Sequence, residues 1–81
     1  MAHRETLKRA FVNGLGLPPG TDVEPLAYQG VPEWDSVGHM QLINEIETAF
    51  DLMLPTGDVL ALSSFAKACE IVARHGVDLD G

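Results

Sequence analysis

The chain has little to brace or charge it. Its single cysteine, Cys69, excludes an intramolecular disulfide framework and makes a reducing compartment the expected home. No apolar run approaches the ~20 residues that a membrane-spanning helix needs. Met1-Ala2-His3-Arg4-Glu5 has no apolar stretch of the signal-peptide kind. The expectation is a cytoplasmic protein with no membrane partner. No segment alternates with a period of two over five or more residues, which argues against strands. The three histidines, His3, His39 and His75, are far apart and show no metal-ligand spacing. Basic residues are scarce, five against twelve acids, for a net charge of −7. Nucleic-acid affinity comes mainly from cations neutralising phosphates, so that partner is not expected.

The bases are also unevenly placed. Arg4, Lys8 and Arg9 lie near the start, Lys67 and Arg74 near the end, and residues 10 to 66 hold eight acids and no Lys or Arg. Such a stretch reads either as plain solubility or as an acidic face for a basic partner. Hydrophobic residues make up 46% of the chain, too many for disorder. Its 81 residues suit one domain, 1–81, expected to be a monomer. A chain of this size buries only about 60% of its unfolded surface, leaving little volume for a deep catalytic cavity.

What is present has helical period. Leu7, Ala10, Phe11 and Leu15 form one apolar stripe, predicting a helix over 4–15 that Gly14, Gly16 and Pro18-Pro19 stop. Residues 16–34 form a long connection whose Gly20, Pro25, Gly30 and Pro32 deny regular structure. Because it carries Val23, Leu26, Tyr28, Val31 and Trp34, it is expected to be pinned across the core. Val37, Met40, Ile43, Ile46, Ala49, Phe50 and Met53, with Leu42 beside them, predict the strongest helix over 36–53. Asp35 or Ser36 is its cap. A short helix over 56–62 and a last helix over 64–75 follow. The last has Phe65, Ala68, Cys69 and Val72 on its stripe, Ser63 or Ser64 as cap and Gly76 as its stop. Cys69 there reads as core rather than reactive. The tail, 77–81, is expected to fray. The fold class is all-α: three longer helices, a short one and a long first loop.

The segment Trp34-Asp35-Ser36-Val37-Gly38-His39-Met40-Gln41-Leu42-Ile43 puts a serine in the first turn of the strongest helix, directly after the long loop. Taken alone, Asp35-Ser36 is an ordinary N-cap. The whole chain, however, resembles the acyl carrier protein family. Asp35-Ser36-Val37 matches the motif that opens that family's second helix. Leu42, Ile46, Glu47, Phe50, Asp51 and Pro55 follow in similar order, and a short third helix and a Ser-capped fourth complete a match over nearly the full length.

The resemblance implies a four-helix bundle of acyl carrier type. The chain would be a stand-alone carrier, not an enzyme. It would carry acyl or aminoacyl intermediates as thioesters on a 4′-phosphopantetheine arm attached to Ser36. Fatty-acid-like, polyketide or other specialised biosynthesis would be its setting. The implied partners are a phosphopantetheinyl transferase and loading and processing enzymes with basic docking patches. Asp35, Val37, Met40, Gln41, Asn44 and Glu47 are the implied motif and recognition residues. Positions often acidic in fatty-acid carriers are neutral here at Gly38, Gln41 and Thr48. Trp34 before the motif is more like D-alanyl and specialised carriers, though it can equally serve to close the loop over the core.

Two other readings stand beside this one. An unmodified helical adaptor would use the acidic face alone. A small hydrolase would pair Ser36 with His39, three residues later, although a solvated histidine is the plainer expectation. Met40 is either core or an exposed contact beside the arm, and Met40 and Met53 would suit a core plastic enough to admit a guest.

Overall fold

A computed structural model describes residues 3–77 and 79. Among them are four helices and no strand: α1 (His3–Leu15), α2 (Ser36–Phe50), α3 (Thr56–Ala61) and α4 (Phe65–Arg74). The expected all-α chain with a long first connection and a short third helix is what the backbone forms.

α1 buries Leu7, Ala10, Phe11 and Leu15, the stripe read from the sequence, and Gly14 lies on the same face. Gly14 does not stop the helix. It lets α1 approach α2, since a Cβ there would sit 2.6 Å from Leu42 Cα. Gly16, at φ 66°, is the residue that leaves the helix.

α2 ends earlier than expected, and its apolar face is turned. Gly38, Leu42, Ile43 and Ile46 face the core, while Val37, Met40 and Met53 are exposed. The small residues set this rotation: the contact of Gly14 with Leu42 and of Gly38 with Leu15 bring residues 38, 42 and 46 inward. Asp51 adopts φ 52° and Leu52 N–H bonds Glu47 O, so the helix closes at Phe50 and not at 53. With Met40 and Met53 both exposed, neither lends the core the plasticity expected of it.

α4 begins on Ser64, whose hydroxyl accepts from Lys67 N–H, and stops before Gly76 at φ 91°. It buries Phe65, Ala68, Ile71 and Val72, and Cys69 is half-buried. Of the tail expected to fray, Val77 and Leu79 pack against the core, and the remaining positions lie outside the described residues.

The long connection is pinned as expected. Tyr28 N–H bonds Ser63 O, Phe65 N–H bonds Leu26 O, and Ala27 forms an antiparallel bridge with Ser64. These bonds tie the loop to the α3–α4 junction. Val23 and Trp34 drop from it into the core. Trp34 meets Phe11 edge-on at 5.4 Å between ring centroids, and Phe11 meets Phe65 at 5.2 Å. Phe11 thus joins the loop, α1 and α4 in one aromatic cluster.

α3 differs from the other helices. It buries no residue. Polar ties anchor it: His39 Nε2 lies 2.8 Å from Val59 O, and Asp58 takes Arg74 at 3.3 Å and His75 at 2.9 Å on its two carboxylate oxygens.

Candidate functional site: the head of the second helix

Asp35 is extended, at φ −100° and ψ −168°, and its Oδ1 accepts the Gly38 N–H at 2.8 Å. That makes Asp35, not Ser36, the N-cap. Ser36 is therefore the first helical residue, with an exposed side chain. Neither its own N–H nor that of Val37 has a carbonyl one turn back to bond, so both lie at the positive end of the helix dipole. The Ser36 hydroxyl is 3.3 Å from the Tyr28 hydroxyl.

Exposed apolar side chains follow this serine on its helix and occur on α3. Val37 is 66% exposed, Met40 59% and Leu60, on α3, 77%. Tyr28, His39, Leu60, Leu62 and Ser63 line a cavity of about 110 Å³. A larger depression of about 520 Å³ lies between α1 and the loop and includes neither Ser36 nor His39.

Gly38 has a geometric reason that its neutrality does not suggest. A Cβ there would stand 2.2 Å from the Glu33 carbonyl oxygen. The chain entering α2 passes so close that only glycine fits.

His39 overturns the expectation of a solvated side chain. It is half-buried, and its ring lies nearly parallel to that of Trp34, 18° apart at 6.2 Å. The Trp34 Nε1–H donates to His39 Nδ1 at 2.9 Å. Indole can only donate and a carbonyl can only accept, so this neutral ring carries its proton on Nε2 and gives it to Val59 O. With both nitrogens engaged, His39 is not arranged as a base for Ser36. The histidine links the segment entering α2 to α3. Its three-residue spacing from Ser36 carried no sign of these partners.

The remaining expected recognition residues divide. Gln41 and Asn44 are exposed on α2, as a docking surface requires. Glu47 is half-buried, and its Oε2 accepts the Leu54 N–H at 2.9 Å, so it holds the chain leaving α2. It has a structural task that the sequence pattern did not reveal.

The ion pairs sort the charges. Lys8 meets Glu24 at 3.0 Å and Glu5 at 4.0 Å, Lys67 meets Glu70, and Arg74 meets Asp58. Among the described residues no ion pair engages Glu33, Asp35, Glu45, Glu47 or Asp51. The acids on and just before α2 therefore keep their field. The Lys8 ammonium is held above its ordinary range, chiefly by its hydrogen bond to Glu24. Among the described residues no group of three or more His, Cys, Asp or Glu could hold a metal ion, and no helix is long and apolar enough to cross a membrane.

Comparison with protein-family models, curated proteins and solved structures returns no match.

Proposed function

We propose that the chain is an acyl carrier whose 4′-phosphopantetheine arm is attached at Ser36. One observation carries this reading: Ser36 is an exposed serine in the first turn of a capped helix, with exposed Val37 and Met40 following it on the same helix. These large side chains lie at the surface near an exposed hydroxyl, where a partner enzyme can cover them. Exposed apolar groups clustered about one polar point mark an interaction site more often than scattered ones do.

The residues present suit the group. Ser36 supplies the oxygen and, with Val37, two backbone N–H groups facing the same end of the helix, a favourable setting for an anion. In the attachment step the Ser36 Oγ bonds to the phosphorus that bears the pantetheine of coenzyme A. The bond from that phosphorus to the adenosine bisphosphate portion breaks, and the serine proton passes to a base of the transferring enzyme. Once attached, the group supplies a terminal thiol that can hold an acyl or aminoacyl load. Asp35 keeps the first turn wound by capping Gly38, and the acids of α2, engaged in no ion pair among the described residues, would attract enzymes with basic docking patches. The chain leaves the later chemistry to its partners.

The test is direct. Incubation with coenzyme A and a broad-range phosphopantetheinyl transferase, followed by intact mass measurement, should add one phosphopantetheine to the chain and none to Ser36→Ala. A folded wild-type protein that gains no mass would sink the proposal. That no ion pair among the described residues engages the acids of α2 also favours a second reading, an unmodified adaptor for a basic protein. That reading requires Ser36→Ala to form a stable, salt-sensitive complex with its partner without any arm.

A further inference from the structure

We infer that Tyr28 is a positioning residue for the group on Ser36, donating a hydrogen bond from its hydroxyl to a phosphoryl oxygen there. The inference rests on the proposed attachment at Ser36.

Tyr28 comes from the long loop, eight residues before Ser36, yet its hydroxyl lies 3.3 Å from Ser36 Oγ. The placement is built, not incidental. Its backbone N–H is bonded to Ser63 O at 2.9 Å. The next residue, Gln29, takes a left-handed φ of 63° and bonds Trp34 O, turning the loop so that residues 28 and 34 face one another. The Tyr28 ring stands edge-on to the fully buried Trp34 at 6.5 Å and leans on His39 at 5.2 Å. Two rings and a backbone bond thus hold the phenol in place, and its hydroxyl projects to the surface at Ser36.

In the unmodified chain either hydroxyl can donate. A phosphodiester on Ser36 removes that choice. The serine loses its proton, and the unbridged phosphoryl oxygens carry negative charge and can only accept. Those oxygens lie two bonds beyond Oγ, on the phosphorus, and rotation about the Cβ–Oγ bond sweeps them past the Tyr28 hydroxyl. A hydrogen bond to a charged acceptor is shorter and roughly twice as strong as a neutral one. The same contact that is weak between two hydroxyls therefore strengthens on modification. It would hold the root of the arm on the loop side of the helix terminus, complementing the backbone N–H groups of Ser36 and Val37.

Tyr28 is the only tyrosine in the chain, so it gives a single, assignable signal. Wild type and Tyr28→Phe are loaded to completion, as judged by intact mass, and compared by phosphorus NMR in buffer and in urea. The expected result is a folded-state phosphorus shift that differs from the urea value in wild type and moves back toward it in Tyr28→Phe. A second measurement needs no variant. In wild type with labelled tyrosine, the Tyr28 Cζ carbon should shift when the arm is added. Identical phosphorus shifts in the two folded proteins, or a Cζ signal unmoved by loading, would overturn the inference. Failure of wild type to load defeats the carrier reading itself, a result visible by mass before any spectrum is taken. Since phenylalanine keeps the ring contacts with Trp34 and His39, a purely structural role for Tyr28 would leave the phosphorus shift unchanged.

Discussion

Replacing His39 with alanine tests the least expected contact in the structure. Trp34 is fully buried, and its indole N–H has His39 Nδ1 as its acceptor. Alanine leaves that donor without a partner in the core, which costs about 1–3 kcal/mol. It also removes the bond to Val59 O, a tie holding α3, for about 0.5–1.5 kcal/mol. The higher helix propensity of alanine returns up to about 0.7 kcal/mol. The expected net loss is therefore about 2 kcal/mol. In a domain of this size that corresponds to a fall of roughly 8–16 °C in Tm.

Urea unfolding followed by the fluorescence of Trp34, the only tryptophan, measures the loss directly. A double-mutant cycle then isolates the indole bond, read by circular dichroism because the probe is removed. In a Trp34→Phe background the donor is already absent, so His39→Ala should cost about 1–2 kcal/mol less than it does alone, within the usual coupling range for contacting residues. A total loss below about 0.5 kcal/mol, or additive losses in the cycle, would refute the reasoning. Either result would mean that water satisfies the indole or that the histidine is dispensable.

Three further outcomes follow from single contacts. Gly38→Ala should destabilise the protein by about 1–3 kcal/mol, because its Cβ meets the Glu33 carbonyl; Gly57→Ala, with nothing within 4 Å, should instead stabilise by up to about 1 kcal/mol, and the opposite signs are checked by chemical denaturation. Glu47→Ala should cost about 1.5 kcal/mol through the lost bond to Leu54 N–H, whereas Glu47→Gln keeps an acceptor oxygen and should lose less, so that partner turnover measured with Gln reports charge and not folding. The Lys8–Glu24 pair gives an alkaline prediction: Lys8 holds its proton more tightly folded than unfolded, so its contribution is full below the unfolded lysine value and fades as pH rises through the folded one. Thermal scans above that value should show a small, salt-sensitive fall in wild type that Glu24→Gln lacks, and equal profiles would dismiss the pair.

The sequence made legible what local periodicity and chain punctuation control. The stripe of α1, the caps, narrowed to Asp35 or Ser36 and to Ser63 or Ser64, and the stop at Gly76 follow from neighbours within a turn or two, and the loop's apolar residues announced that it is pinned, though not where. The rotation of α2 did not. Val37, Met40, Ile43 and Ile46 fit a helical stripe as well as Gly38, Leu42 and Ile46 do, and a hydrophobicity pattern favours the larger residues. What decides between the two faces is how closely α1 approaches, and that depends on Gly14 meeting Leu42 across the interface. A glycine in a helical pattern reads as a weakness until the opposing helix is known.

The same distinction separates what could be read at the site from what could not. Ser36 and its cap are local, and the Asp35-Ser36 pair announces them. Tyr28, His39 and Val59 belong to three different segments, and their meeting depends on the loop being tied to Ser63 and Phe65. In the single sequence His39 offered only its spacing from Ser36, which suggested a catalytic pair. Its actual partners are a buried indole and a backbone carbonyl, neither of which spacing can point to. The consequence is a division of labour around one serine. The capped helix presents the hydroxyl, exposed Val37 and Met40 follow it on the same helix, and a polar relay fastens α3, which has no fully buried residue of its own. If α3 owes its position to that relay more than to packing, then His39→Ala should release α3 selectively. Amide exchange should rise at Val59 to Leu62 while the amides of Ile43 and Ile46 stay protected. Uniform acceleration across α2 and α3 would show instead that α3 opens only with the whole fold.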